Sequence, residues 1–190
     1  MKVIEFVGMA RAGKTTQIDR LKTYLESKGH RVAVLTDRER AQSLKTPPNE
    51  GLAYTLTFFT TVVEAYYAHL NEAGYLLIDR GFNDVAVWSD VRYSFGEISQ
   101  EERDALKTTF ERFKKLVDRT FYFKVPIDIG LTRHEKTEHQ AVDEVAMNKK
   151  WLEVLEDAYE KNQRSFTNVV IVNGVQEADV VEAQIIKVID

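Results

Sequence analysis

The chain has 190 residues, a formal net charge of −4, 44% hydrophobic and 29% charged residues, and no cysteine. That length and mixture suit one globular domain with a sizeable core, the missing cysteines exclude disulfides and thiolate metal sites, and an acidic balance without a lysine- or arginine-rich block gives no sign of a nucleic-acid surface. No apolar stretch is long enough to span a bilayer, and Met1-Lys2-Val3-Ile4 runs straight into the first apolar segment without room for a signal peptide, so a cytoplasmic protein without membrane attachment is expected.

Val3-Ile4-Glu5-Phe6-Val7 reads as a buried strand, and it is followed by Gly8-Met9-Ala10-Arg11-Ala12-Gly13-Lys14-Thr15. Ile18, Leu21 and Leu25 then recur at helical spacing from Lys14 to Lys28, and Gly29 stands where a left-handed cap ends a helix. Arg31 to Thr36 reads as the second strand, with Asp37-Arg38-Glu39-Arg40 at its C-terminal end. A loop with Pro47 and Pro48 leads to a long apolar helix, about Gly51 to Ala73, closed by Gly74. Tyr75-Leu76-Leu77-Ile78-Asp79 is a third strand ending in a carboxylate. Trp88, Tyr93 and Phe95 follow it as wall or packing aromatics, and Ser99 with Glu102 forms a capping box for a helix from Gln100 to Asp118. Thr120 to Val125 is the fourth strand, stopped by Pro126, and Val169 to Val172 is the fifth. Asn173-Gly174 and a closing helix carrying Val181, Ile185 and Ile189 complete the chain. Strands alternating with helices predict an α/β fold in three layers, a five-stranded parallel sheet covered by helices on both faces, over a single domain spanning residues 1–190.

The segment Gly8 to Thr15 has the pattern and the strand-to-helix context of a phosphate-binding loop. Its glycines let successive N–H groups turn inward to an anion at the helix start, Lys14 adds a positive charge where β- and γ-phosphates meet, and Thr15 offers a hydroxyl to magnesium. Gly8, Ala12, Gly13, Lys14, Thr15 and Thr16 are therefore the expected contacts of ATP, with Mg2+ as its companion ion. In open parallel sheets ligands bind beyond the C-terminal ends of the strands, which brings Gly8, Asp37, Asp79 and Asn173 toward one region. Asp79 is the expected second magnesium-side group, and Asn173 a further nucleotide contact. Phosphoryl transfer needs positive charge on the moving group, so Arg11 in the loop and Arg133, on the helix after strand four, are candidate catalytic residues. A mobile lid is expected at about 132–148. His30, His69, His134 and His139 show no ligand spacing, so no structural metal is expected.

The loop with its tail Gly13-Lys14-Thr15-Thr16-Gln17, Asp79-Arg80 after strand three, Gly130-Leu131-Thr132-Arg133 before the lid and the late Ala158-Tyr159 helix, in this order, resemble the thymidylate-kinase-like branch of P-loop kinases. The resemblance implies an ATP- and Mg-dependent kinase, with Arg11 assisting transfer, Asp79 holding magnesium or its water, Arg80 and Arg40 binding an acceptor phosphate, and Phe58 stacking on the acceptor base. On the same alignment Val62 stands in place of the arginine that reads thymine and Ala10 in place of a loop carboxylate, departures that argue against thymidylate itself. Three functions are consistent with these residues. The first is transfer to a nucleoside monophosphate held by Arg38 or Arg40 with Arg80; the second is a nucleoside kinase in which Asp37 or Glu39 acts as general base on a hydroxyl. The third is an ATPase or ATP-gated module; a guanine-nucleotide switch is disfavoured because Asn148-Lys149-Lys150-Trp151 lacks the aspartate of a guanine-reading element. The sequence does not say which of Asp37, Arg38, Glu39 and Arg40 face inward, and the apolar helix after Gly51 suits either a homodimer face or the sheet.

Overall fold

The computed structural model describes the chain apart from residues 38–39, 41–43, 47–49 and 136–147. Arg38, Glu39, Pro47, Pro48, His139 and most of the expected lid lie outside the described residues. Five strands, β1 (Lys2–Gly8), β2 (Val32–Leu35), β3 (Tyr75–Asp79), β4 (Arg119–Lys124) and β5 (Val169–Asn173), form one parallel sheet in the order β2-β3-β1-β4-β5. Among the described residues seven α-helices connect them: α1 (Lys14–Ser27), α2 (Gly51–His69), α3 (Phe82–Ser94), α4 (Gln100–Lys114), α5 (Ile127–Glu135), α6 (Lys149–Asn162) and α7 (Ala178–Ile189). None of them is long and apolar enough to cross a membrane.

Strand periodicity divides the core between the two faces. Phe6 packs its ring against Phe121 and Phe123, in one cluster with Ile18 and Leu21 of α1 and Val181 of α7. On the other face Val3, Leu76 and Ile78 meet Phe59 and Val62 of α2, Phe82 and Val85 of α3, and Leu106 and Phe110 of α4. Several predicted ends hold closely. Gly29, at φ 82°, follows α1, and Ser99 and Glu102 make both hydrogen bonds of the capping box at α4. The helix expected to reach Asp118 stops at Lys114, and the one expected to reach Ala73 stops at His69.

Helix α3 is the element that no periodicity announced. Nine of its residues, among them Asn83, Asp84, Ser89 and Arg92, are buried, because it is packed between α2, α4 and α6 rather than lying on the surface with one wet face. Its start is fixed by a buried carboxylate from the central strand. Glu5 has no solvent exposure, and its Oε1 accepts the backbone N–H groups of Gly81 (2.9 Å), Asn83 (3.0 Å) and Asp84 (3.1 Å). Its Oε2 accepts from the Asn83 side-chain amide at 2.9 Å, and that amide also donates to Thr120 Oγ1 at 3.0 Å. The helix has no side-chain N-cap of its own, so Glu5 satisfies amides that would otherwise be orphaned and sets a negative charge at the positive end of the helix dipole.

Burial nevertheless raises the Glu5 carboxyl from 4.5 to about 7, against the hydrogen bonds that favour its charge. A carboxyl whose folded pKa lies above its unfolded value binds more protons in the folded state between the two, so its contribution is greatest below about pH 4.5 and declines as pH rises toward 7. Glu5→Ala, which strands several buried N–H groups, is expected to cost about 3 kcal/mol in denaturant unfolding. Glu5→Gln keeps one acceptor oxygen, costs less, and flattens the decline in stability between pH 5 and 7 that the parent protein shows.

Candidate active site

The strand-to-helix loop after β1 adopts the backbone its glycines predict. Gly8 and Gly13 lie at φ 135° and 96°, Arg11 takes the left-handed conformation at φ 62°, and a Cβ at Gly8 would sit 2.5 Å from the Phe123 carbonyl oxygen. Helix α1 begins at Lys14 with Gly13 before it, and no side-chain cap or acidic residue occupies its first turn, which leaves that turn to an anion. The Lys14 ammonium donates to the carbonyls of Gly8 (3.2 Å) and Met9 (3.1 Å) and lies 3.7 Å from Asp79 Oδ1. Burial lowers its pKa, and the Asp79 charge opposes that effect. Parallel pairing sets Phe6 beside Asp79, so the ends of β1 and β3 bring Thr15 and Asp79 together, and the Thr15 hydroxyl donates to Asp79 Oδ2 at 3.2 Å. Asp79 Oδ1 is buried and makes no hydrogen bond. Thr16 is exposed at the start of the helix.

Gly174 closes the other side of the loop. A Cβ there would lie 2.6 Å from Val125 Cγ2 and 2.7 Å from the Ala12 carbonyl oxygen, so only glycine lets the end of β5 approach this closely. Asn173, immediately before it, is exposed, and its side-chain oxygen accepts the Val175 N–H at 3.1 Å to make the turn. Arg133, from the last turn of α5, donates to the carbonyls of Arg11 (3.2 Å) and Gly174 (2.9 Å) and so ties the helix before the expected lid to both.

A second cluster of charged groups is built around Arg80, held at φ 61° by its own N–H bond to the Phe6 carbonyl at 2.9 Å. Its guanidinium donates to Asp37 Oδ2 at 2.9 Å, lies 3.7 Å from Asp84 Oδ2 and sits 5.2 Å from the Trp88 ring. Asp37 thus does face inward from the end of β2. Burial opposes the Arg80 charge, but Asp37 and Asp84 outweigh it and hold the group protonated. Arg40 is buried. It donates to the main-chain carbonyls of Thr36 (3.3 Å), Asp79 and Arg80 (2.6 Å), and lies 3.8 Å from the Phe58 ring centroid. One face of Phe58 therefore carries this guanidinium, and Val62 lies wholly in the core.

Three residues of this region did not figure as site residues in the sequence reading. Glu5 is the one charged residue within an apolar strand, a signal that an inward-facing partner exists. Asp84 is 1% exposed and accepts from the Trp88 indole N–H at 2.9 Å and from the Tyr159 hydroxyl; that hydroxyl accepts the Gly8 N–H at 3.0 Å. Tyr159 lies 151 positions from Gly8, a partnership that spacing cannot reveal. Among the described residues no group of three or more His, Cys, Asp or Glu is arranged to hold a metal by itself.

Known proteins share this fold. Among solved structures, a deoxyadenosine kinase from M. mycoides with bound dATP superposes with a TM-score of 0.73 at 15% identity, covering 100% of this chain and 99% of that one. The same enzyme with products dCMP and a flexible dCDP bound gives 0.59 at 17% identity, covering 98% and 97%. Both show that the fold is that of a P-loop kinase. No curated protein matches in sequence. The profile of the thymidylate kinase family matches residues 6–185, nearly the whole chain, and the protein belongs to that family.

Proposed function

We propose that the protein is a nucleoside kinase, moving the γ-phosphoryl group of ATP to the primary hydroxyl of a nucleoside with Asp37 as general base. The observation that carries this reading is the 2.9 Å pair between Arg80 and Asp37. A dianionic acceptor phosphate needs cations with charge to spare. Here Arg80 is matched by Asp37 and Asp84, and Nε and Nη2 of Arg40 are held by main-chain carbonyls. A neutral hydroxyl needs instead a carboxylate fixed by a cation, and this pair supplies one. Asp37 accepts the hydroxyl proton, the acceptor oxygen attacks the γ-phosphorus, and the β–γ bridge breaks with its electron pair leaving on ADP. The known activity of the structural neighbour, which by its name is a deoxyadenosine kinase, favours deoxynucleosides as the first acceptors to examine.

In this reading the loop amides at the start of α1 and Lys14 hold the β- and γ-phosphates, and Thr16 and the Asn173-Gly174 turn border the nucleotide. Magnesium, when bound, offsets the charge gathering on the phosphate oxygens. The residues present fit it: the Thr15 hydroxyl and the carboxylate of Asp79, whose buried Oδ1 lacks a hydrogen-bond partner, offer hard oxygen donors side by side. Arg11 is tethered beside the phosphates and assists transfer, while Arg133 holds the Arg11 carbonyl in place. Arg40 supports Phe58 and the Asp79-Arg80 turn, and the exposed side of Phe58 borders the acceptor. A second reading, transfer to a nucleoside monophosphate, is favoured by the family profile itself; it requires Arg80 to leave Asp37 for the acceptor phosphate.

Asp37→Asn is expected to lower kcat on a deoxynucleoside by about 10²–10⁴ while the calorimetric Kd for ATP stays within about threefold. An unchanged kcat removes Asp37 as the base and favours the monophosphate reading. Lys14→Ala, with a circular dichroism spectrum like the parent's, is expected to abolish labelled product from γ-labelled ATP.

A further inference from the structure

We infer that Tyr159 and Asp84 are positioning residues that couple the phosphate loop to the acceptor carboxylate, a role that rests on the kinase reading above. An unbroken series of contacts joins the two ends. The Gly8 N–H donates to the Tyr159 hydroxyl at 3.0 Å, and that hydroxyl donates to Asp84 Oδ1. The other Asp84 oxygen accepts from Trp88 Nε1 at 2.9 Å and faces Arg80 Nε at 3.7 Å, and Arg80 grips Asp37 at 2.9 Å. Both middle members are 1% exposed, so no water substitutes readily for either. The tyrosine ring is clamped by a stack on Tyr122 (centroids 5.0 Å apart, 20° between planes) and by the edge of Phe166, which fixes where its hydroxyl points.

The hydroxyl has one proton, and Asp84 takes it, so its lone pairs are what hold the Gly8 amide. Gly8 ends β1 opposite Phe123 of β4 and opens the loop, at a φ of 135° and pressed against the Phe123 carbonyl, and this bond is the one that holds its N–H. When phosphates draw the loop amides inward, a shift at Gly8 passes through Tyr159 to Asp84 and re-aims Arg80 and hence Asp37. By linkage the acceptor then binds more tightly when donor is present, and the reverse. Neither residue touches the reacting atoms; each acts through the groups it holds, and an error of about 1 Å in such placement costs about a hundredfold in rate.

Trp88, bonded to Asp84, reports on this connection, and it is one of only two tryptophans in the chain. In a Trp151→Phe background, ATP with magnesium is titrated while Trp88 emission is recorded, and the Kd is measured separately by calorimetry. The parent is expected to change emission on saturation; with Tyr159→Phe added, the Kd is expected to stay within about threefold while the emission change falls by more than half and kcat on a deoxynucleoside drops about tenfold. Asp84→Asn, nearly isosteric, is expected to give the same loss of signal together with a raised acceptor KM, and it decides the matter if Tyr159→Phe does not fold. An emission change and kcat that survive both substitutions overturn the coupling alone. Failure of the parent to bind ATP in the calorimeter overturns the kinase reading and this inference with it.

Discussion

The start of α3, and with it the placement of Arg80 and Asp84, depends on Glu5 reaching from β1 beneath the first turn of that helix. A helix crossing over a central strand must hide its first N–H groups from water, and here a single side chain accepts three of them while Asn83 carries the connection on to β4. The position of α3 in turn sets Arg80 at its threshold and Asp84 and Trp88 on its first two turns. The cost is a buried carboxyl whose pKa is pushed up to about 7. The gain is that the phosphate loop and the acceptor groups are referred to the same strand, since β1 also ends in Gly8.

Charge matching is the second constraint. Lys14 and Arg40 are buried together with Asp79 and Asp84, Arg80 keeps 13% of its side chain exposed, and Asp37 lies at the rim with 30% of its side chain exposed. Near a low-dielectric core such groups are tolerable only when an opposite charge or hydrogen bonds offset their desolvation. Lys14 faces Asp79 beside the loop after β1, Arg80 pairs with Asp37 at the end of β2, and Arg40 holds main-chain carbonyls between them. A site balanced in this way before any substrate arrives accommodates a neutral acceptor more readily than a dianion. This charge balance is the basis for placing a nucleoside hydroxyl, rather than a phosphate, at Asp37.

Much of this was legible in the chain itself. The loop from Gly8 to Thr15 was legible because its glycine pattern is local, and the strands stood out because buried parallel strands are continuous apolar runs. Ser99 and Glu102 capped α4 as their spacing requires. What stayed hidden was set by packing in three dimensions. Helix α3 is buried on nearly all sides and so has no one-sided periodicity; Tyr159 meets Gly8 from the far end of the sequence. Arg40 resembles an acceptor-phosphate ligand by sequence position, and its contacts with the carbonyls of Thr36, Asp79 and Arg80 and with the Phe58 ring are ones that residue type does not encode.

The most direct test of a kinase with Asp37 poised for a hydroxyl is the choice of acceptor. Purified protein with γ-labelled ATP and magnesium is offered each common deoxynucleoside and, in parallel, its 5′-monophosphate, and kcat/KM is compared within each pair. Label appearing on one or more nucleosides, with a higher kcat/KM than on the matching monophosphate, is the predicted result. Label found only on monophosphates, or only as inorganic phosphate, contradicts it.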